Sequence, residues 1–343
     1  MENDTHNQPK IRTMFKMKNI ILVAFAFSST LSFCQFTDVI NSNRPGNSMG
    51  AFSVGETVFQ TEFGMYGYDE SHDLQNYNAQ GIGADLSLRY GAFFEQLEFI
   101  VQLQYQYEWY QAALTNSNSS GLNQTIIGAK YLIYDPDKNY KKKINLYSWK
   151  ANHKFNWREI IPAVGIYVGA NIDGKNDKFP RPGIPSGSTV SPKVMLITQN
   201  QFGKWVLVTN FIADKFNSNL SSLEYIVTLT RGFNPQWSAF IENEGFYNDY
   251  YTDNVIRGGA AYLIRPNLQV DASVGTNFKN TPSLLFGGVG ISWRFDKNYT
   301  TNYLRIPDTP EQKAAKKKAK KDAQKERAKK GKERIEAMEK KLE

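Results

Sequence analysis

Apolar and polar residues alternate with a period of two along much of the chain. The clearest stretch is Leu97–Trp109, thirteen residues in which every odd position is apolar. The even positions are glutamine or glutamate, interrupted only by Ile100. Successive side chains of a β-strand point to opposite faces, so the pattern predicts a strand with one apolar and one polar face. Strands of soluble proteins usually span about 5–6 residues, whereas a tilted strand of this length crosses a bilayer.

The last alternating stretch, Leu284–Phe295, has the character of a closing strand. Its assembly-signal positions Val289, Ile291, Trp293 and Phe295 share one face, and Gly290, Ser292 and Arg294 share the other. An apolar, aromatic outer face with a polar inner face is typical of a strand that lies between lipid and a polar lumen. A terminal aromatic strand also resembles the signal read by the outer-membrane assembly machinery. An ordinary sandwich strand is the alternative.

Twelve such stretches predict an all-β protein, a transmembrane antiparallel up-and-down β-barrel with a range of 10–14 strands. Single-chain barrels of this kind have even strand numbers. The predicted strands are Ser53–Gly64, Ile82–Tyr90, Leu97–Trp109, Ile127–Ile133, Val164–Val168, Lys193–Gln201, Trp205–Ala213, Leu223–Arg231, Trp237–Phe246, Val255–Arg265, Leu268–Phe278 and Leu284–Phe295.

Short and long connections are expected to alternate between these strands. Tight turns are predicted at Gly91–Phe93, Phe202–Lys204, Asn234–Pro235 and Arg265–Asn267, and polar loops at Asp69–Asn78, Thr115–Gly121, Asn171–Pro192, Asn217–Ser222, Tyr247–Asn254 and Asn280–Ser283. Outer-membrane barrels have short periplasmic turns and longer extracellular loops. The basic stretch Asp135–Arg158 breaks this rhythm; an elaborated turn, an extra hairpin, a short helix or a docking surface would each account for it.

Several short motifs resemble the outer-membrane family named for the MetA pathway of phenol degradation. They include Arg44-Pro45-Gly46, Phe52–Gly55 before a strand with Gln60 and Glu62, Leu88–Gly91 before Glu98, Glu242–Gly245, Ala261–Gly275 and Val289–Phe295. The resemblance covers most of Asn41–Phe295 and implies a barrel that serves as a transporter. The chain departs from the family pattern in its long C-terminal tail.

Composition agrees with a barrel. Mean hydropathy is −0.50 and no run of 18 apolar residues exists outside the N-terminal region, which argues against membrane-spanning helices. Aromatic residues make up 14 % of the chain, as expected for two aromatic girdles. Of the net charge of +8, residues 311–343 carry +7 and residues 1–18 carry +2, which leaves −1 for the rest. A nucleic-acid partner is therefore not expected.

The N-terminal region predicts a secretory signal peptide over residues 1–34, with Met17 as the true start. Met17-Lys18 precedes the short apolar run Ile20–Phe27 and a small-residue region. Cleavage before Gln35 is favoured over lipidation of Cys34, because Phe33 precedes the cysteine. The mature chain would then contain no cysteine. The polar segment 35–50 is expected in or under the lumen, before a barrel domain at 51–295.

Ten charged residues on the polar faces are the candidate lumen residues. They are Asp85, Arg89, Glu98, Glu108, Lys130, Glu242, Glu244, Arg257, Asp271 and Arg294. They would line a polar pore and tune solute selectivity, or pair with one another in a plugged barrel. No metal site or cofactor is predicted, since cysteine and histidine are scarce. Ser71-His72 could suggest an outer-membrane lipid hydrolase, but adjacent loop residues do not form a triad, and no enzyme activity is expected.

The C-terminal tail predicts a basic docking surface. Residues 296–310 read as a linker, and residues 311–343 as a periplasmic basic tail, helical or disordered, rich in Ala, Lys and Glu. Candidate docking residues are Lys316, Lys317, Lys318, Lys320, Lys321, Lys329 and Lys330. Their targets would be peptidoglycan, anionic lipid headgroups or an acidic envelope protein. Two functions follow: a passive outer-membrane channel for small apolar or amphipathic solutes, or an accessory barrel subunit of an envelope complex.

Overall fold

The computed structural model is a closed antiparallel barrel of twelve strands. The structure describes residues 39–113, 115–136, 138, 160–172, 179, 181–182, 189–216 and 218–295. The strands are β1 (Phe59–His72), β2 (Tyr77–Gly91), β3 (Leu97–Ala112), β4 (Thr115–Tyr134), β5 (Ala163–Ile172), β6 (Val190–Phe202), β7 (Trp205–Asp214), β8 (Ser222–Gly232), β9 (Trp237–Asn248), β10 (Thr252–Arg265), β11 (Leu268–Asn277) and β12 (Ser283–Phe295). Each strand pairs with its neighbours in sequence, and β1 pairs with β12 from Phe59↔Phe295 to Ser71↔Ser283. The predicted fold class is confirmed.

Several predicted strand ends are wrong, most of them because the strands extend into the predicted polar loops. The predicted loop Thr115–Gly121 is part of β4, and the predicted loop Asp69–Asn78 shrinks to residues 73–76. Beyond the apolar band a strand can be polar on both faces, so the period of two disappears while pairing continues. The alternation of short and long connections is accordingly weaker than predicted. At the opposite end, β1 begins at Phe59 rather than Ser53.

The two faces of the wall have opposite chemistry. Bulky apolar side chains on the outward face are exposed, among them Phe63, Ile127, Phe211 and Ile241. The predicted assembly-signal residues Val289, Ile291, Trp293 and Phe295 belong to this outward face. A contiguous apolar exterior around a closed barrel is the surface that lipid requires. Among the described residues, no helix is long and apolar enough to cross a membrane.

Residues 39–58 precede β1 and contact inward side chains of the wall from Asn41 to Val54; they are called the inner segment below. Met49 and Ala51 of this segment pack in a cluster with inward apolar residues of β3 to β8, namely Ile100, Ile126, Leu132, Ala163, Tyr167, Met195, Ile197, Ile212 and Ile226. Ile100, which interrupts the polar face of β3 in the sequence, is fully buried in this cluster. The apolar interruption of the pattern therefore marks where the inner segment sits.

Two ends of the barrel are distinguished below. The turn end carries the start of β1, the end of β12 and the short turns 92–96, 203–204, 233–236 and 266–267. The loop end carries the connections 73–76, 173–189 and 249–251, among others. The linker 296–310, the tail 311–343 with its predicted docking lysines, the signal region 1–34 and most of Asp135–Arg158 lie outside the described residues.

Candidate functional site in the barrel lumen

All ten predicted charged residues face the lumen, but most are enclosed rather than lining open space. Arg89, Glu98 and Lys130, from β2, β3 and β4, are fully buried. Arg89 Nη1 lies 2.8 Å from Glu62 Oε1, and Arg89 also pairs with Glu98. Lys130 Nζ lies 3.1 Å from Glu98 Oε2. Buried charges persist only when they are paired and hydrogen-bonded, and this cluster satisfies that condition across four neighbouring strands.

The inner segment supplies the remaining partners of this cluster. Lys130 Nζ donates hydrogen bonds to the carbonyl oxygens of Gly50 and Phe52, at 3.0 and 2.9 Å. The backbone N–H of Val54 donates to Glu98 Oε2 at 3.1 Å. A single lysine and a single glutamate thus join two wall strands to irregular backbone, whose N–H and C=O groups need such partners when buried.

A second cluster holds the segment on the opposite wall. Glu242 on β9 accepts hydrogen bonds from the backbone N–H groups of Asn47 and Ser48, at 3.0 and 3.2 Å, and from Thr228 Oγ1 at 2.7 Å. Arg257 on β10 pairs with Glu242 and lies 3.6 Å from Glu244. The Asn47 side chain donates to Glu244 at 3.1 Å. Here too, wall charges are neutralised by each other and by the segment.

Between these clusters, the inner segment follows the circumference of the wall. Ser42 contacts Ser292 on β12 at 2.7 Å, and Ala51 N donates to Gln199 on β6 at 2.9 Å. Asn210 on β7 accepts from Met49 N and donates to Met49 O, at 2.6 and 2.9 Å. The contacts move from β12 through β9, β7, β6, β4 and β3 to β2, so the segment forms an inner ring before β1 begins.

Cavities lie on both sides of this ring. One of about 240 Å³ lies on the turn-end side and one of about 850 Å³ on the loop-end side. Residues Asn43, Arg44, Pro45 and Gly46 border both cavities. The stretch Asn43–Gly46 is called the partition below.

The larger cavity has a mixed lining. Ile126, Met195, Ile212 and Ile226 form an apolar patch on β4 to β8 together with Tyr167. Lys193, Asp214 and Glu224 border the cavity from the same strands, and Asp85, Arg257 and Ser273 border it from β2, β10 and β11. An apolar patch beside placed polar groups is a feature of small-molecule sites, and it offers contacts to a solute with an apolar body and a polar group.

Arg181, from the β5–β6 connection, ties strands together at the loop-end mouth of this cavity. Its guanidinium lies 3.0 Å from Glu70 on β1 and 2.7 Å from Glu108 on β3, over the rings of Tyr77 and Tyr110. Burial lowers the pKa of Arg181, but hydrogen bonds with Glu108 and Glu70 outweigh it and leave the pKa raised. Arg181 therefore keeps its charge, and its position narrows the mouth.

Comparisons with known proteins place the chain in a family. A family profile described as "Putative MetA-pathway of phenol degradation" matches residues 42–295. The chain belongs to this family. The match begins within the inner segment and ends at the last residue of β12, so it covers the ring as well as the wall. The tail lies beyond it. The resemblance predicted from the motifs is confirmed.

A solved outer membrane channel has the same fold, and other solved barrels show weaker similarity. The COG4313 outer membrane channel from Pseudomonas putida F1 is similar over 74 % of this chain and 100 % of its own, with 14 % identity and a TM-score of 0.50. The translocator domain of the autotransporter NalP from Neisseria meningitidis covers 83 % of this chain and 98 % of its own at 12 % identity, with a TM-score of 0.40. The CymD monoaromatic hydrocarbon channel covers 70 % and 88 % at 9 % identity, with a TM-score of 0.36. No curated protein sequence matches the chain.

Three of the ten predicted lumen residues border the larger cavity, namely Asp85, Glu244 and Arg257. Arg294 is buried at the turn end, where it donates to Val39 O at 3.0 Å. Asp271 pairs with Arg44 at 3.3 Å. Their inward orientation is observed, and their role in solute selectivity stays a prediction.

Sequence reasoning missed the partners of these charges. The sequence places Arg44 in a family motif but does not predict its ion pairs, and it does not predict the contacts of Asn210 or Arg181. The inner segment has no period that would predict its contacts, and Arg181 lies in a connection. The apolar residues at inward positions of β3 to β8 could have predicted that something covers this part of the wall, because a solvent-filled lumen would not favour them.

Ser71 and His72 are the last two residues of β1, at the loop end. His72 Nδ1 accepts a hydrogen bond from the backbone N–H of Gln75 at 3.2 Å, and its ring packs near Tyr77. These contacts hold the His72 side chain against the connection 73–76 and the start of β2. Within the described ranges, no cluster of His, Cys, Asp and Glu could hold a metal ion.

Proposed function

We propose that this protein is an outer-membrane channel for passive passage of small apolar or amphipathic solutes. The observation that carries the proposal is the cavity of about 850 Å³, in which an apolar patch on β4 to β8 lies among polar and charged residues. Membership of a family described by phenol degradation supports solutes of this kind. Phenol has an apolar ring and one hydroxyl, and a site of this volume accommodates such a molecule.

In this proposal the described structure is a closed state. Passage along the axis requires the partition Asn43–Gly46 to move, because it borders both cavities. The wall contacts of the inner segment provide the energy that keeps the state closed. Solute specificity would come from the larger cavity, which a solute entering at the loop end meets first.

Filling this cavity tests the proposal. Ser273→Trp adds an indole on the β11 side of the cavity, whereas Val289→Trp adds the same group on the outward face of β12, where Val289 is exposed. We expect Ser273→Trp to reduce phenol flux into proteoliposomes severalfold and Val289→Trp to leave it unchanged. Equal flux through both variants and the wild type would contradict passage through this cavity, as would flux no greater than in protein-free liposomes.

The orientation in the membrane is part of the same proposal. The loop end would face the outside and the turn end, with both termini, the periplasm, after export by the Sec pathway and removal of residues 1–34. Outer-membrane barrels place their short turns on the periplasmic side. An epitope added at Glu343 should be protected from protease in intact cells and become accessible once the outer membrane is permeabilised.

The basic tail supports a second candidate, a non-enzymatic accessory subunit of an envelope complex. Residues 311–343 carry +7 and lie beyond the part of the chain that the family profile matches. Lys316, Lys317, Lys318, Lys320, Lys321, Lys329 and Lys330 would bind an acidic partner or peptidoglycan. A mild-detergent pull-down with full-length protein and with residues 311–343 removed separates the two functions. Stoichiometric partners that depend on the tail would favour the subunit; isolated barrels in both cases would favour the channel.

A further inference from the structure

Four inward positions at the closing seam of the barrel form a row. Gly64 on β1 pairs with Gly290 on β12, and these glycines pair in turn with Asp85 on β2 and Asp271 on β11. The row therefore reads Asp85, Gly64, Gly290, Asp271 across four adjacent strands. Two carboxylates flank a floor that has no side chains.

Arg44 of the partition occupies this row. Its Nη1 pairs with Asp85, its Nη2 lies 3.3 Å from Asp271 Oδ1, and Nη2 also donates to Val289 O at 3.4 Å. A Cβ on Gly64 or on Gly290 would overlap the guanidinium atoms of Arg44. The two glycines are thus needed for the close approach of a flat cation to the strand backbone.

The row is a built site rather than a group of surface acids. The Asp271 side chain is fully buried, and within the described residues neither of its oxygens accepts a well-formed hydrogen bond. Its ion pair with Arg44 therefore supplies the charge compensation that a buried carboxylate needs. Asp85, with a side chain 34 % exposed, borders the larger cavity, so the row is reachable from that cavity.

We propose that this row is a guanidinium-binding site, occupied in cis by Arg44, and that soluble guanidinium-type cations compete for it and release the partition. A planar guanidinium matches two carboxylates on a flat floor, whereas a spherical or bulky cation does not. Competition would free Arg44 and, with it, the stretch that borders both cavities. Release of the partition affects transport only if the proposed channel function is correct, so the inference rests on that function in this respect. Cation binding at the row can be tested independently of transport.

The test reads movement of the inner segment directly. Ser48 is buried, with 8 % exposure, four residues after Arg44. Ser48→Cys in a Cys34→Ser background gives a small, conservative reporter whose maleimide labelling requires the segment to move. Labelling rates of full-length protein in detergent are compared in guanidinium chloride at millimolar concentration, and in KCl and tetramethylammonium chloride at equal ionic strength.

We expect guanidinium to accelerate labelling about tenfold over KCl, since a tenfold shift in population needs only a small part of the energy of a buried ion pair. Tetramethylammonium should behave like KCl. Gly64→Ala and Gly290→Ala should each accelerate labelling without guanidinium and abolish its further effect. Gly67→Ala is the matched control on β1, because its Cβ would meet only Gly81 O at 3.7 Å.

Two results would overturn the site: guanidinium no more effective than KCl on the reporter protein, or Gly64→Ala and Gly290→Ala both labelling like Gly67→Ala. The first result involves no change in the row, so misfolding of a variant cannot produce it. Phenol flux is measured separately. Accelerated labelling without any flux would count against the channel and leave the guanidinium site standing.

Discussion

The turn-end and loop-end halves of the lumen are built from the same strands, yet the first holds a cavity of only about 240 Å³ and the second a cavity of about 850 Å³. In the turn-end half, Arg89, Glu98 and Lys130 are fully buried in ion pairs and bonded to the inner segment. In the loop-end half, Asp85, Glu224 and Asp253 border a cavity of about 850 Å³.

The difference between the halves lies in twenty residues of irregular chain, not in the wall. Charged inward residues of a barrel are compatible with a channel and with a plug; which one they form depends on whether a segment supplies matching donors and acceptors. Here the inner segment contributes backbone N–H and C=O groups and one arginine. The same wall charges thus stabilise structure in one half and remain accessible to solutes in the other.

The largest effect is expected from breaking the buried cluster of the turn-end half. Glu98→Gln removes the charge that Arg89 and Lys130 share and leaves two buried cations with one carboxylate fewer. We expect the free energy of unfolding to fall by about 3 kcal/mol or more. Denaturant unfolding of the folded barrel in detergent micelles, followed by tryptophan fluorescence, measures this.

The matched substitution in the other half is Glu224→Gln. Glu224 borders the larger cavity and accepts a hydrogen bond from Ser222 Oγ at 2.8 Å, which a glutamine oxygen can also accept. A change of less than about 1 kcal/mol is expected. If both variants lost similar stability, the distinction between a structural half and an accessible half would fail.

A smaller effect is expected from loosening the inner segment while keeping the wall charges. Asn210→Ala removes both hydrogen bonds to Met49 and leaves the buried backbone N–H and C=O of Met49 without that partner. We expect a cost of about 1–3 kcal/mol, concentrated in the segment. Hydrogen exchange of peptides covering 39–58 should therefore accelerate more than exchange of the strands.

Asn200→Ala provides the control for this prediction. Asn200 donates to Ile160 O at 2.7 Å in an exposed position on the same hairpin, and its loss should leave exchange of the segment unchanged. Uniform acceleration of segment and strands in Asn210→Ala would mean that the ring and the wall unfold as one unit.

The sequence predicted the wall well because pairing and burial impose a period of two. Leu97–Trp109 shows this, as do the ten charged positions that all face inward. Strand ends such as Thr115–Gly121 were predicted poorly because polar Ser, Thr and Asn residues pair equally well outside the apolar band. The pattern gives a strand's orientation but not the point where it stops.

The inner ring could not be predicted in the same way. Its residues contact strands far away in sequence, as Ala51 contacts Gln199, and no local pattern encodes such contacts. Ile100 was a usable signal: a lone isoleucine among glutamine and glutamate on an inward face indicates that something apolar covers it. The row of Gly64, Gly290 and two aspartates becomes visible only once the strand register is known.

The smallest effect on transport is expected at the loop-end mouth, from Arg181→Ala. Arg181 joins Glu70 to Glu108, which is buried, so its loss leaves a buried carboxylate without this partner and should lower the free energy of unfolding by about 1–3 kcal/mol. Because its side chain narrows the entrance, phenol flux should rise modestly. Arg231→Ala removes an exposed arginine that lies over Trp205 at the turn end, away from the entrance, and should leave flux unchanged. If Arg231→Ala raised flux as much as Arg181→Ala, the entrance would not lie at the loop end, and the mouth would have to be sought on the turn-end side of the ring.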